Sequence, residues 1–341
     1  MNRSALLLLP LLVACSETTI IQPDYSVFDE FFQESPEQVD VLLIVDNSCS
    51  MLAEQEKLAT EFEAFVEFFH VAQTDFHIGV TTTDMYVQGG ALLGNPYFIT
   101  ATTPNPGEVF RNNVQVGAGG SGFERGFEAA WSALSPSLRN NLNAGFYRDE
   151  AALAVIYVSD EDDASPYAVR DWTDAFWDFK GQRERGMFTA SALVGVHPVT
   201  LQPASCGRSL DDVFAGADDA PRYWDMVHET GGVIRSICES DFSEVVNEIG
   251  LNVSGLRDRF DLAGIPRDDL VQLTMWIPGT PGYLGDGVVV PPAGLEEDGS
   301  FAWVLESDDQ LAWIRFTDPE SLPPLNTRML AEYEDPQFRG Y

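Results

Sequence analysis

The sequence predicts an α/β protein: a doubly wound, mostly parallel sheet followed by a small β domain. Three observations carry this. The apolar runs at Val41–Val45, Phe76–Thr83 and Ala152–Ser159 are short and rich in β-branched residues, as suits strands buried on both faces. Segments with apolar residues at helical spacing alternate with such runs from Val39 to Leu251. After Gly255 the pattern changes to short strand-like runs separated by Pro- and Gly-rich turns.

The 341 residues leave room for one domain of about 200 residues and a smaller one. With 45% hydrophobic and 21% charged residues the chain is a folded protein, not a disordered tail. It holds 54 acidic against 19 basic residues, a net charge of −35, which argues against nucleic acid and anionic membrane surfaces as partners.

At the start, Arg3 precedes the apolar run Ala5–Val13, which is too short to span a membrane and reads as a secretory signal. Leu12-Val13-Ala14-Cys15 resembles a bacterial lipobox. The resemblance implies that residues 1–14 are a signal peptide, that Cys15 is acylated, and that Ser16 directs the protein to the outer membrane, held there by its lipid anchor. Residues 15–38 are polar and read as a tether.

The rest of the chain is organised around the stretch Val39–Met51. Its apolar strand ends at Asp46, Ser48 and Ser50, three oxygen side chains at alternate positions. A helix then begins, with Leu52, Leu58, Phe62, Phe65, Val66 and Phe69 on one face. The strand Phe76–Thr83 ends at Asp84, with His77 expected as a packed residue, and Tyr97–Ala101 is a short strand. Gly117, Gly119, Gly120 and Gly122 form a loop before a helix carrying Phe123, Phe127, Ala130, Trp131 and Leu134. This loop lacks the Gly-Lys-Ser/Thr ending of a phosphate-binding loop. The strand Ala152–Ser159 runs straight into Asp160-Glu161-Asp162-Asp163. Helix Val169–Phe179, strand Phe188–Val196, helix Tyr223–Glu229, strand Val233–Ile237 and helix Phe242–Leu251 complete the alternation. Outside the cytoplasm the cysteines beyond Cys15 allow one disulfide, and Cys206 and Cys238, which flank one late α/β segment, are paired. Cys49 is expected as a small buried filler.

Strand, oxygen-rich turn and helix build a site at the carboxyl end of the central strand. Asp46, Ser48 and Ser50, an Asp-x-Ser-x-Ser pattern in that context, resemble the metal-ion-dependent adhesion site of von Willebrand factor A domains. The resemblance covers residues 39–255 and leaves 263–341 as the small β domain. It implies a fourth ligand in the glycine loop, where the family carries a Thr shortly before a Gly. If Gly126 is that glycine, Ser121 is the nearest preceding hydroxyl, a departure in residue type and spacing, with Glu124 a possible substitute. The last ligand is Asp160. The donor set Asp46, Ser48, Ser50, Ser121 and Asp160 prefers a hard divalent cation, Mg²⁺ first, with Ca²⁺ or Mn²⁺ as alternatives. Neutral hydroxyls leave the ion electrophilic, so the implied partner is a protein or glycan offering a carboxylate. The alternative is an envelope assembly factor in which metal only stiffens the loop. A hydrolase reading fails on residues: Ser48 stands where a haloacid-dehalogenase-type phosphatase needs a second Asp, and His70, His197 and His228 sit in no nucleophile motif. No catalytic residue is expected.

Overall fold

The structure, a computed structural model, describes residues 26–34, 36–72, 74–181, 187–207, 216–267, 270–293, 301–308, 311–317 and 321–335. The signal segment and Cys15 lie outside the described residues. In chain order the elements begin β1 (Ser26–Phe32), β2 (Gln38–Val45), α1 (Leu52–Thr60), α2 (Phe62–Ala72), β3 (Asp75–Thr82), β4 (Phe98–Ile99), α3 (Pro106–Val114), α4 (Gly126–Ala133) and α5 (Pro136–Arg139). They continue with β5 (Ala152–Val158), α6 (Val169–Lys180), β6 (Phe188–Val194), α7 (Pro221–Thr230), β7 (Ile234–Ser236) and α8 (Ser243–Ser254). Short strands complete the order, as the sequence predicts for the β domain: β8 (Arg259–Asp261), β9 (Val271–Trp276), β10 (Val288–Val290), β11 (Trp303–Ser307), β12 (Ala312–Phe316) and β13 (Arg328–Glu334).

The larger unit is a six-stranded sheet in the order β4-β3-β2-β5-β6-β7. All neighbours are parallel except the edge pair β3–β4. Alternate residues of β2 serve opposite layers. Val41, Leu43 and Val45 pack with α1, α2, α3 and α8, while Leu42 and Ile44 pack with α4, α6 and α7. Burial on both faces explains the unbroken apolar run, each such side chain contributing on the order of 1.5–3 kcal/mol relative to exposure. The chain moves from β2 to β3 on one side and later to β5 on the other. The crevice between the carboxyl ends of β2 and β5 is therefore the topological switch point, where open α/β sheets place their sites.

The opposite end of β2 is held by a buried ion pair. Asp40 is fully buried, and its two oxygens accept from the Arg148 backbone amide (2.6 Å) and Nε (2.8 Å). Arg148 also reaches Asp75 Oδ2 at 2.6 Å and the Val39 carbonyl at 2.9 Å. Burial pushes the Asp40 carboxyl up, and the Arg148 charge and hydrogen bonds pull against that shift. His77 is packed as expected, its Nδ1 2.7 Å from the Phe146 carbonyl.

Three sequence expectations need correction. The tether assigned to residues 15–38 contains a strand: Ser26–Phe32 pairs antiparallel with β13, from Ser26↔Glu334 to Phe32↔Arg328. Val27 and Phe31 turn into the core of the second unit, while the intervening Asp29 and Glu30 give the segment its polar look. The second unit also begins before residue 263. It consists of two antiparallel sheets, β1-β13-β9-β10 and β11-β12-β8, so it takes in Arg259–Asp261 as well as β1. The single first helix is broken at Glu61 into α1 and α2, which leaves Leu52 exposed rather than on the buried stripe. The second unit packs on the first through Phe68 and Ala72 of α2, which belong to its core. Gln33 closes the junction by donating to the Arg257 carbonyl (2.9 Å) and accepting from its amide (3.1 Å).

Candidate metal centre at the switch point

Asp46 follows β2 directly, and its amide donates to the Val158 carbonyl of β5 at 2.9 Å, fixing the residue in the crevice. The side chain is fully buried. Oδ1 accepts the Ser48 amide at 2.7 Å, and Oδ2 accepts the Ser159 hydroxyl at 2.7 Å. A single 3₁₀ turn, Cys49–Met51, then lifts the chain into α1, with Met51 fully buried as its anchor. The turn brings the Ser48 and Ser50 hydroxyls within 3.1 Å of one another. Cys49 between them is exposed, not the buried filler expected, because the alternation that directs both serines inward directs it outward.

The carboxyl end of β5 supplies Ser159 and Asp160. Asp160 is 7% exposed, its Oδ1 has no hydrogen-bond partner among the described residues, and its charge acts on Asp46. The third contribution comes from the segment before α4. Glu124 is 1% exposed, and Thr83, at the end of β3, donates its hydroxyl to Glu124 Oε2. Backbone bonds hold this segment in place: the Arg125 amide to the Thr83 carbonyl (3.2 Å) and the Ala164 amide to the Glu124 carbonyl (2.6 Å). Glu124 Oε1 is buried without a partner.

Thus Asp46, Ser48, Ser50, Asp160 and Glu124 gather at the crevice. Ser121 does not join them through any contact among the described residues. Its hydroxyl accepts the Phe123 amide at 3.0 Å within its own turn, and the loop presents Glu124 to Asp46 instead. The fold is that of a von Willebrand factor A domain.

No family model matches the sequence, and no curated protein does. Among solved structures the chain is similar to von Willebrand factor type A from Catenulispora acidiphila, with 15% identity, a TM-score of 0.37, and coverage of 93% of this chain and 66% of that one. It is similar to the pilus adhesin SpaC from Lactobacillus rhamnosus GG in an open conformation, with 11% identity, a TM-score of 0.39, and coverage of 92% and 42%. A third is proximal thread matrix protein 1 from the mussel byssus with a zinc-occupied MIDAS motif, at 10% identity, a TM-score of 0.35, and coverage of 69% and 51%. The chain spans 66% or less of the length of each of these three. Strand order and the placement of the site loops in this chain carry the fold.

The electrostatics of the von Willebrand A site are lopsided. Burial first, and then the charge of Asp160, push Asp46 up to about 7, against the opposing bonds from Ser48 and Ser159. Burial and the charge of Asp46 push Glu124 up to about 9. Among the described residues no ion pair includes Asp46, Glu124 or Asp160: Arg125 pairs with Glu128 (3.2 Å) and Arg222 with Asp163 (3.0 Å). Buried acidic oxygens without bases or hydrogen bonds are costly, and a hard cation is what such donors suit. Among the described residues no three His, Cys, Asp or Glu side chains converge as a metal cage. A cation here would therefore rely on the Ser48 and Ser50 hydroxyls as much as on the carboxylates.

Residues outside the predicted set hold the site in shape. Gln55 of α1, 2% exposed, donates Nε2 to the Asp46 carbonyl and to the Gly117 carbonyl, both at 2.9 Å, and accepts the Gly117 amide at 3.2 Å. Gly120 donates its amide to the Asn47 carbonyl at 2.8 Å, and a Cβ there would stand 2.0 Å from Asn47 Oδ1. The glycine loop is thus seated directly on the metal loop. Gly126 takes the role the resemblance implied, since a Cβ on it would stand 2.3 Å from the Tyr223 hydroxyl as α4 packs. A polar Gln on the buried face of α1 and the Thr81-Thr82-Thr83 run were the available sequence signals for Gln55 and Thr83.

Cys206 and Cys238 are disulfide-bonded, as paired from the sequence. The bridge ties the β6–α7 connection to the end of β7, and that connection reaches the site through the Asp218 amide, which donates to the Asp160 carbonyl at 2.8 Å. A sequence separation of 32 corresponds to about 3.7 kcal/mol of loop-closure entropy removed from the unfolded chain. The double variant Cys206→Ser/Cys238→Ser is expected to lose about 3–4 kcal/mol in urea unfolding. A loss below about 1 kcal/mol would show that the unfolded chain is already constrained there.

Proposed function

We propose that the von Willebrand A domain binds a divalent cation at Asp46, Ser48, Ser50 and Asp160, with Glu124 in place of the expected Ser121, and that the bound cation serves to hold a partner's carboxylate. The observation that carries this reading is the uncompensated acidity of the crevice: Asp46 and Glu124 are buried side by side, and Glu124 Oε1 and Asp160 Oδ1 have no partner among the described residues. When bound, the cation would supply the positive charge the crevice lacks. The hydroxyls of Ser48 and Ser50 add donors without adding negative charge, which favours an ion still able to attract an anion. On this reading the protein is a binding module rather than an enzyme. Mg²⁺ is the first candidate, with Ca²⁺ and Mn²⁺ next.

Glu124 favours a second reading, an envelope assembly factor in which the cation stiffens the loops. Its extra negative charge would neutralise the ion further and weaken attraction for an outside carboxylate. The placement we infer is the bacterial outer membrane, through acylation of Cys15; no helix among the described residues is long and apolar enough to cross a membrane. A Cys15→Ser variant should lose incorporation of a palmitate label and leave the membrane fraction.

Calorimetric titration of Mg²⁺, Ca²⁺ and Mn²⁺ into wild type and Asp46→Ala tests the metal reading. Saturable binding in the wild type that is abolished in the variant is expected. Equal binding by both proteins, or none by a folded wild type, would remove this reading. If the cation only stiffens the loops, Asp46→Ala will lower cation-dependent stability yet leave partner capture intact.

A further inference from the structure

The face around the metal crevice carries apolar side chains that the fold does not use. Eight large apolar residues of the von Willebrand A domain are exposed among the described residues. Tyr97 and Leu142 lie in the segments leading into β4 and β5. The other six are Leu52, Tyr86, Val87, Phe123, Tyr167 and Val199, exposed by between 57% (Leu52) and 82% (Val199). Each stands on a connection at the carboxyl end of the sheet: after β2, after β3, before α4, after β5 and after β6. These connections are fastened to one another at the site, by Gly120 to Asn47, Arg125 to Thr83, Ala164 to Glu124 and Asp218 to Asp160. Fastening makes the display rigid. The Asp84 carboxylate accepts the Tyr86 amide at 2.8 Å and the Val87 amide at 3.2 Å, and Arg125 lies 5.6 Å from the Tyr86 ring centroid. Phe123 immediately precedes Glu124. Leu52 directly follows the Cys49–Met51 turn.

We infer that this face docks a protein chain whose contact patch is apolar with a single Asp or Glu at its centre, and that it is not a glycan site. The inference rests on the cation-binding reading of the same crevice. Charge complementarity selects the acidic group. The crevice and its margin carry Asp46, Glu124, Asp160, Glu161 and Asp162, so an anion can approach only where a cation stands, and a ring of uncharged contacts around it avoids repulsion. Apolar complementarity selects a protein. Leu52, Val87 and Val199 offer nothing to sugar hydroxyls, and the polar groups nearby are turned inward onto one another, as Thr83 is to Glu124 and Asp84 to the following amides. Tyr, Phe and Arg held rigidly around a small desolvated centre are the composition of a protein–protein hot spot. Scattered surface apolar residues are ordinary, but six gathered at one end around the site are not.

The test pans a random dodecapeptide phage library on the immobilised full chain in Mg²⁺, beside a glycan array probed with the same protein. Enriched peptides are expected to carry Asp or Glu flanked by aromatic or aliphatic residues and to be released by chelator. The variant Tyr86→Ser/Phe123→Ser/Tyr167→Ser should keep wild-type Mg²⁺ affinity and Tm yet bind those peptides at least about tenfold more weakly. Sugar binding without peptide enrichment, enriched peptides lacking an acidic residue, or peptide affinity unchanged in the triple variant would each overturn the docking inference while leaving the metal site standing. A wild-type chain that binds no cation would remove both.

Discussion

Glu124→Gln is expected to fold, to be at least as stable as the wild type without cation, and to bind cation at least about tenfold more weakly. The substitution keeps shape and removes charge. Its amide oxygen can still accept the Thr83 hydroxyl, while its NH₂ can donate towards Asp46, replacing a buried carboxylate–carboxylate contact with a hydrogen bond. A wild-type protein at a cation concentration of 100 Kd gains about 2.7 kcal/mol from binding, and most of that gain should be missing in the variant. Thermal unfolding with and without Mg²⁺ reads both halves of the prediction. Wild-type cation affinity in Glu124→Gln would exclude Glu124 as a ligand and return Ser121 to the position. An unliganded variant markedly less stable than wild type would mean that the Glu124 carboxylate is compensated by something other than a cation.

Arg148→Met is expected to lower stability by about 3–5 kcal/mol, because it leaves the fully buried Asp40 carboxylate without its counter-charge. The double variant Asp40→Asn/Arg148→Met should recover part of the loss, since no buried charge then remains. Urea midpoints of the two single variants and the double variant give the coupling directly. Cation affinity should not change in any variant that folds. The Arg148 clamp holds β2 at Asp40, near the amino end of the strand, whereas Asp46 stands just past its carboxyl end.

Legibility in the sequence divides along physical lines. β2, β3 and β5 were legible because burial on both faces imposes an uninterrupted apolar run, and the helices because their buried stripes repeat at helical spacing. Asp46, Ser48, Ser50 and Asp160 were legible because each lies next to one of those strands, so locating the strand locates the side chain. The glycine-loop donor was not. Whether Ser121 or Glu124 faces Asp46 is decided by long-range backbone bonds, Gly120 to Asn47 and Arg125 to Thr83, that no local pattern records. β1 escaped notice because an edge strand with one face in solvent tolerates Asp29 and Glu30 between its apolar residues. β13 and β8 escaped because short strands owe their form to partners far away in sequence.

The pairing of β1 with β13 has a consequence for how the molecule comes together in time. Asp29 and Tyr333, which hydrogen-bond at 2.7 Å, stand 304 positions apart. Bringing such distant segments together in an open chain costs about 5 kcal/mol of closure entropy in its length-dependent part. The von Willebrand A domain removes most of that cost once folded, because Gln33 at its entrance and Arg257 at its exit are then already in contact. The intervening domain thus acts as a template for the second unit. β1 leaves the ribosome before that domain and is completed after it, waiting as an unpaired edge until residues 328–334 arrive, so a nascent chain stalled before that point carries a finished metal domain and an open strand.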